Sequence, residues 1–134
     1  MTKAQLDQLI GKVVGDWQLT KLLGSGKSAG VFRGVRDSET AAVKIFDPSL
    51  VEEFGKTSQL NRIERELRLR GHHHPNLVKI IDGGECKITG TLYVVMELID
   101  APNLASVIMT MPRDRIRTII SQVAAAARYL LAGC

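Results

Sequence analysis

Residues 22–32 read LLGSGKSAGVF, and the interpretation of this stretch decides the fold. Its centre, GSGKS, is similar to the end of a Walker A phosphate loop, whereas its glycine spacing is typical of a hairpin whose glycine-rich tip covers phosphates. A Walker A loop requires a glycine at position 21, where this sequence has Lys21, and it opens a helix. Residues 29–35 contain further glycines and β-branched residues, which disfavour a helix. We therefore predict a strand, a glycine-rich loop and a second strand.

A lysine lies inside the apolar run that follows this hairpin. Residues 41–46 (AAVKIF) predict a strand in which Ala42, Lys44 and Phe46 share one face, and Asp47-Pro48 is expected to break it. A charged side chain on a half-buried strand requires an anionic partner or a polar cleft, unless it lies on a sheet edge, where lysines prevent aggregation. The pattern offers two anions for Lys44: a phosphate under the glycine-rich loop and a carboxylate from the next helix.

The helix predicted over residues 57–71 carries two candidate carboxylates for this lysine. Glu66 lies near the edge of the apolar face, and Glu64 lies further round the helix. Glu66 is therefore the preferred partner of Lys44, with Glu64 as the alternative. A surface pair between Glu66 and an arginine one turn away stays open.

The rest of the pattern predicts a mixed chain of strands and helices. We expect a short helix over residues 2–10, strands over 77–82 and 92–99, and a final helix over 112–131. The predicted order is therefore three strands, a helix, two strands and then helices.

In this order the motifs resemble the N-terminal lobe of the eukaryotic-type protein kinase family, of the serine/threonine-kinase-like kind. The matching segments are 24–32 (the glycine-rich loop G-x-G-x-x-G-x-V), 41–44 (the V-A-I-K motif), 63–67 (the αC motif), 74–78 (H-P-N-L-V) and 92–98 (the strand before the hinge). Ala29 departs from the family pattern, since it replaces the third glycine. The spacing from Glu66 to Pro75 is one residue shorter than in the family pattern, so Glu64 stays open as the alternative partner of Lys44.

The resemblance implies a fold and a division of the chain. The fold would be α+β, with a five-stranded antiparallel sheet and one αC-type helix, followed by helices of an incomplete C-terminal lobe. The segments would be an N-terminal extension (1–15), an ATP-binding lobe (16–100) and the hinge exit with the first C-terminal-lobe helices (101–134).

The resemblance also implies a site for ATP. The cofactor-binding residues would be Leu23, Gly24, Gly26, Val31, Ala42, Lys44, Met96, Glu97, Ile99 and Asn103. The leucine, valine and alanine would cover the adenine, and the glycines would cover the phosphates. Lys44 would contact the α- and β-phosphates while Glu66 holds it, and these two are the implied catalytic residues. Met96 would be the gatekeeper, the backbone of Glu97 and Ile99 would bind the adenine edge, and Asn103 would lie near the ribose. Most side chains of 94–99 could equally be plain strand core.

The family's H-R-D and D-F-G motifs do not occur in this sequence. Asp82 and Asp100 lie on the wrong elements to replace them, so the Mg²⁺ ligands are expected in the missing lobe. The resemblance thus implies phosphoryl transfer from ATP to a protein hydroxyl in the complete enzyme, and no activity for this chain alone. A non-catalytic interaction or nucleotide-binding module is the alternative. A P-loop NTPase would instead require Lys27 as the phosphate lysine.

Composition limits the partners and the compartment. The net charge of +4 is spread over mixed-sign helices with few aromatic residues, so nucleic acid is not an expected partner. Two cysteines and no signal peptide favour the cytoplasm, and a membrane segment beyond Cys134 stays open. The final helix is apolar round much of its circumference, so we expect a partner to cover it, or the chain alone to be marginally stable. For His72, His73 and His74 we expect a helix-to-strand turn and no metal site.

Overall fold

The computed structural model describes residues 1–133, and Cys134, the last residue of the predicted third segment, lies outside them. The chain divides into two compact units. The first comprises residues 1–71 and 79–98, and the second comprises residues 72–78 and the chain from Ile99 onward. The division into segments 1–15, 16–100 and 101–134 stays a prediction.

The first unit is built on a six-stranded antiparallel sheet. Its strands are Val13–Val14 (β1), Trp17–Ser25 (β2), Ala29–Arg36 (β3), Glu39–Phe46 (β4), Ile80–Glu85 (β5) and Leu92–Met96 (β6). They lie in the order β1-β2-β3-β4-β6-β5. The predicted α+β class is confirmed, and β1 adds a strand to the predicted five. With two residues, β1 is too short to show an alternating pattern in the sequence.

Three helices belong to this unit: α1 (Lys3–Leu9), α2 (Pro48–Phe54) and α3 (Lys56–Leu67). The helix predicted over residues 57–71 is preceded by a further helix, α2, where sequence reasoning expected only a break. Asp47 caps α2, because its Oδ1 accepts a hydrogen bond of 2.9 Å from the Ser49 backbone, and Pro48 occupies the first turn. Gly55, at φ 85°, separates α2 from α3.

Several element boundaries differ from the predicted ones. α3 ends at Leu67 and not at residue 71, because the Leu69 amide donates to the Glu66 carbonyl, three residues back, at 3.0 Å, which tightens the chain into a turn. The strand predicted over 77–82 is displaced to β5, since the Leu77 amide closes a turn onto the His74 carbonyl at 3.1 Å. The strand predicted over 92–99 ends at Met96.

The two faces of the sheet carry separate cores. The core on one face is formed by buried side chains of the sheet and of α1, and strand alternation places the sheet residues there. It comprises Leu6, Val14, Trp17, Leu19, Phe32, Ala41, Val43, Ile45, Cys86, Tyr93 and Val95. The other set packs on the opposite face with α3, namely Phe46, Ile63, Ile80, Leu92 and Val94. Lys44 lies between Val43 and Ile45 in the sequence, so its side chain projects to the opposite face, where α3 packs. The sheet is thus enclosed by α1 on one side and α3 on the other.

The second unit contains α4 (Leu104–Val107), a 3₁₀ turn (Ile108–Thr110) and α5 (Arg113–Gly133). The predicted helix over 112–131 corresponds to α5. The histidines of the predicted turn pack on this helix: His72 Nδ1 lies 3.1 Å from the Tyr129 hydroxyl, and the rings of His74 and Tyr129 are 5.1 Å apart. Three apolar side chains of α5 are strongly exposed, namely Ile120, Val123 and Leu131. Within residues 1–133, the helices are all too short or too polar to cross a membrane.

Candidate functional site

The glycine-rich stretch forms a β-hairpin between β2 and β3. Gly24 pairs with Val31 and Ser25 with Gly30, which leaves residues 26–28 as the exposed tip. The tip is closed by the Gly26 amide, which donates to the Ala29 carbonyl at 2.9 Å. The predicted strand–loop–strand arrangement is therefore present.

The hairpin contradicts a Walker A loop on structural grounds. Strand β3 begins at Ala29, directly after the GSGKS segment, where a Walker A loop would open a helix. Lys27 lies exposed at the tip, and no helical amides follow it to bind a phosphate. The P-loop interpretation is thereby excluded for this stretch.

Two glycines of the hairpin have open surroundings. A β-carbon placed on Gly24 or Gly26 would meet no atom within 4 Å, and neither residue has a positive φ. The fold therefore has no need of glycine at either position. Glycine without a conformational reason is typical of backbone that a ligand approaches closely.

Lys44 on β4 forms an ion pair with Glu66 on α3. The Nζ–Oε1 distance is 3.1 Å, and the two side chains are 25% and 31% exposed. Glu64, the alternative partner in the sequence, is exposed on another side of α3. The ring of Phe46 lies 5.0 Å from the Lys44 Nζ, so the ammonium also has an aromatic neighbour. The pairing that sequence reasoning preferred is the one present.

The sheet surface around Lys44 is apolar. Val31 lies directly opposite Lys44 on β3, and Ala42 lies opposite Met96 on β6. Opposite residues of antiparallel strands project from the same face, so these four side chains share one surface. Ala42 is buried, and Val31 and Met96 are partly buried. An apolar sheet surface that carries one cation suits a ligand with an aromatic part and an anionic part.

The remaining site residues of the first unit lie at the strand ends. Leu23, near the end of β2, is 43% exposed. Glu97 follows β6, and its amide donates to the Lys79 carbonyl at 2.9 Å while its carboxylate accepts from the Lys79 amide at 2.8 Å. These two hydrogen bonds with Lys79 hold the segment that leaves β6.

Two predicted site residues belong to the second unit. Ile99 is 60% exposed. Asn103 caps α4, since its Oδ1 accepts a hydrogen bond of 2.9 Å from the Ser106 amide. The resemblance implied that Asn103 lies near a ribose, and the capping bond shows that its carbonyl oxygen already has a local partner.

Asp47 is a site neighbour that sequence reasoning missed. Its amide donates to the Ser28 carbonyl at 2.9 Å, which ties the hairpin tip to the end of β4. The Met1 amino group lies 2.6 Å from its carboxylate and, with the Ser49 amide, holds the pKa of Asp47 below its usual value. The signal in the sequence was the Asp-Pro pair, which marks a helix start as well as a break.

The described residues 1–133 contain no group of three or more histidine, cysteine, aspartate and glutamate side chains arranged to hold a metal ion.

A scan against protein-family models matches residues 17–133 to the model described as protein kinase domain. The chain belongs to the protein kinase domain family. The match begins at Trp17, the first residue of β2, and includes the hairpin, Lys44 and Glu66. A search of the curated proteins found no match to this kinase-family chain.

Solved structures of the PknI kinase domain from Mycobacterium tuberculosis have the same fold. A single mutant superposes with a TM-score of 0.74 at 20% identity, covering 89% of this chain and 49% of that one. A double mutant gives a TM-score of 0.75 at 20% identity, with 89% and 50% covered. At this identity the likeness shows the fold. The chain thus spans about half the length of these kinase-domain structures.

Proposed function

We propose that this chain is the ATP-binding part of a protein kinase of the serine/threonine type. In the complete enzyme, the γ-phosphoryl group of ATP would pass to a hydroxyl group of a protein substrate. The ion pair between Lys44 and Glu66, on the same sheet face as the apolar surface and next to the glycine-rich hairpin, carries this proposal.

Lys44 would bind the α- and β-phosphates of the nucleotide. Its ammonium is held by Glu66 at 3.1 Å, which fixes the lysine side chain before a ligand arrives. The backbone at Gly24 and Gly26 has no protein neighbour on its open side, so phosphate oxygens can approach the hairpin there. Because the Gly26 amide already donates to the Ala29 carbonyl, other amides of the hairpin would make the contact. Cation and amides together would orient the phosphate chain and balance part of its negative charge.

The apolar surface would take the adenine. Val31, Ala42 and Met96 share the face of Lys44, and Leu23 would close it from β2. Beyond β6, backbone groups of Glu97 and Ile99 would bind the polar edge of the base. Asn103 would lie near the ribose through its amide nitrogen, since its oxygen caps α4.

Other parts of the reaction would come from outside this chain. A family member uses Mg²⁺ to neutralise charge on the phosphates and an aspartate to position the acceptor hydroxyl. The sequence contains neither H-R-D nor D-F-G, so we assign neither role to a residue of this chain. The chain alone would therefore bind ATP without transferring its phosphate.

The compartment and the partners follow from this proposal. Cys86 is a free buried thiol, which suits the reducing cytoplasm where ATP is used. The substrate would be a protein, and a protein surface would cover the exposed apolar side chains of α5.

Calorimetric titration of ATP into the chain and into Lys44→Met tests the proposed nucleotide site. Loss of the cation should weaken ATP binding roughly tenfold or more, because a charge-assisted bond of about 1.4 kcal/mol or more disappears. Lys27→Ala is the matched control, since it removes another lysine from the same unit, and its ATP affinity should change far less. Equal losses for the two variants, or no binding by the parent chain, would overturn the proposal.

Phosphotransfer distinguishes the kinase from the alternative of a non-catalytic nucleotide-binding module. The longest chain that the coding sequence encodes should label a protein substrate, and acid hydrolysis should release phosphoserine or phosphothreonine. Labelling of tyrosine alone would refute the serine/threonine assignment. ATP binding without any transfer by that longest chain would favour the non-catalytic module.

A further inference from the structure

A helix outside the family match packs against the glycine-rich hairpin. α1 (Lys3–Leu9) precedes residues 17–133, which match the protein kinase domain. Its Leu6 is 4% exposed and is part of the core on the face opposite Lys44. α1 is therefore built into the first unit.

Leu6 occupies the space that a side chain at Gly30 would need. A β-carbon built on Gly30 would lie 2.5 Å from the Leu6 Cδ2 atom. Gly30 belongs to β3, where it pairs with Ser25 across the hairpin and with Ile45 on β4. Its φ is not positive, so the structural reason for glycine here is the close approach of Leu6, with the Phe32 ring 3.2 Å from the same β-carbon position.

The connector that follows this helix is bonded to the other strand of the hairpin. In the connector after α1, the Gly11 amide donates to the Leu19 carbonyl at 2.6 Å, and the Leu19 amide donates to the Lys12 carbonyl at 2.8 Å. The start of α1 is fixed by a capping box between Thr2 and Gln5. α1 contacts β3 at Gly30, and its connector is bonded to β2 at Leu19, so the hairpin cannot shift against this segment without breaking one of these contacts.

We propose that Leu6 is a positioning residue for nucleotide binding, which sets the position of the glycine-rich hairpin through its contact with Gly30. The inference rests on the proposed ATP-binding function and adds to it a part of the chain that the family match leaves out. Leu6 lies on the sheet face opposite Lys44, so it acts on the nucleotide only through the hairpin.

This role makes a prediction that a purely structural role does not. The hairpin tip covers phosphates, whereas the adenine lies on the apolar surface of β4 and β6. Movement of the hairpin should therefore weaken the binding of ATP and leave the binding of adenosine unchanged. General loss of structure would weaken both ligands together.

The test compares ATP and adenosine affinities of the parent chain with those of Leu6→Ala and Gly30→Ala. Leu6→Ala removes the packing from the helix side, and Gly30→Ala displaces the end of the leucine side chain from the strand side. Each should weaken ATP binding roughly fivefold or more with adenosine unchanged. The ATP affinity of the double variant should be no lower than that of the weaker-binding single variant, because both changes break the same contact. Leu9→Ala is the control, since Leu9 is a partly buried residue of the same helix that packs on the same core.

Three results would overturn the role of Leu6: unchanged ATP affinity in both single variants, equal losses for ATP and adenosine, or the same ATP loss in Leu9→Ala. If Leu6→Ala does not fold, Gly30→Ala alone decides between these outcomes. A parent chain that binds no ATP overturns the proposed function and this inference with it. A parent chain that binds ATP while Leu6→Ala and Gly30→Ala both leave its affinity unchanged overturns the inference alone.

Discussion

Lys44 on β4 and Glu66 on α3 join the sheet to its helix, with 3.1 Å between the Nζ and Oε1 atoms. Both side chains are partly exposed, so solvent screens the pair and its contribution to stability is small. Its importance lies in where it holds the lysine: on an apolar surface and beside a hairpin with open glycine backbone.

Glu66→Gln should weaken ATP binding while the fold persists. The amide has no charge to hold the Lys44 ammonium, so we expect a roughly five- to tenfold loss of affinity, equivalent to about 1–1.4 kcal/mol. The free energy of unfolding should fall by at most about 1 kcal/mol, as for an exposed pair. Glu64→Gln is the matched control, since Glu64 is an exposed glutamate of the same helix. Equal effects of the two variants on calorimetric ATP affinity would contradict the assignment.

Gly24→Ala should separate stability from ligand binding. Its β-carbon meets no protein atom, so the free energy of unfolding should stay constant or rise by about 0.4–1 kcal/mol. ATP affinity should fall, because the methyl group obstructs the approach of phosphates to the backbone.

Gly34→Ala provides the opposite case on the same strand pair. Its β-carbon would lie 2.5 Å from the Val43 Cγ2 atom, so overpacking should lower the free energy of unfolding by about 1–3 kcal/mol. Urea denaturation of both variants measures the difference. A Gly24→Ala variant as unstable as Gly34→Ala would show that Gly24 has a structural role.

Cys86 should make stability depend on pH in the alkaline range. Hydrogen bonds from the Thr89 side chain and from the backbone of Gly15, Thr89 and Ile88 lower the pKa of its thiol from 9.0 to about 7. Because the folded pKa is the lower one, the thiolate stabilises the fold fully above pH 9.0, and this contribution is lost as the pH falls through about 7.

Denaturation from pH 6 to 10 measures this effect as the difference between the parent and Cys86→Ala, both carrying Cys134→Ser. The parent should gain stability over the variant as the pH rises through this window. Thr89→Val should reduce the gain, because the largest cause of the lowered pKa is removed. A difference that does not vary with pH would refute the lowered pKa of Cys86.

The exposed apolar side chains of α5 should promote association. Ile120 and Val123 are 62% and 64% exposed. Ile120→Gln combined with Val123→Gln should leave the free energy of unfolding within about 0.5 kcal/mol and lower the mass observed by light scattering. Ala126→Gln is the contrasting variant, since Ala126 is buried and its replacement should destabilise the helix. Unchanged association in the double variant would exclude this surface as its cause.

Sequence patterns sufficed for the parts of the site that depend on strand alternation. The period of two placed Lys44 on one face with Ala42, and helical periodicity preferred Glu66 to Glu64. Both follow from local geometry, and both agree with the contacts in the structure. The hairpin was predictable because Lys21 and the residues after Ser28 are incompatible with a Walker A loop.

Features that depend on tertiary contacts were not predictable from local patterns. α2 was missed because the Asp47-Pro48 pair was taken as a break, although it also starts a helix. The packing of Leu6 on Gly30 joins residues distant in sequence, and no local pattern indicates it. β5 starts later than predicted because a turn closed by Leu77 and His74 uses the residues before it.

The central claim is that the glycine-rich hairpin and the Lys44–Glu66 pair form one nucleotide site, and amide shift mapping by NMR tests it most directly. Titration of ATP into the ¹⁵N-labelled chain should move the amide signals of Gly24, Gly26 and Lys44 together, with one common affinity. Signals of α2, which lies outside the proposed site, should stay in place and provide the internal control. Shifts confined to α2, or no shifts in the hairpin and at Lys44, would contradict the account.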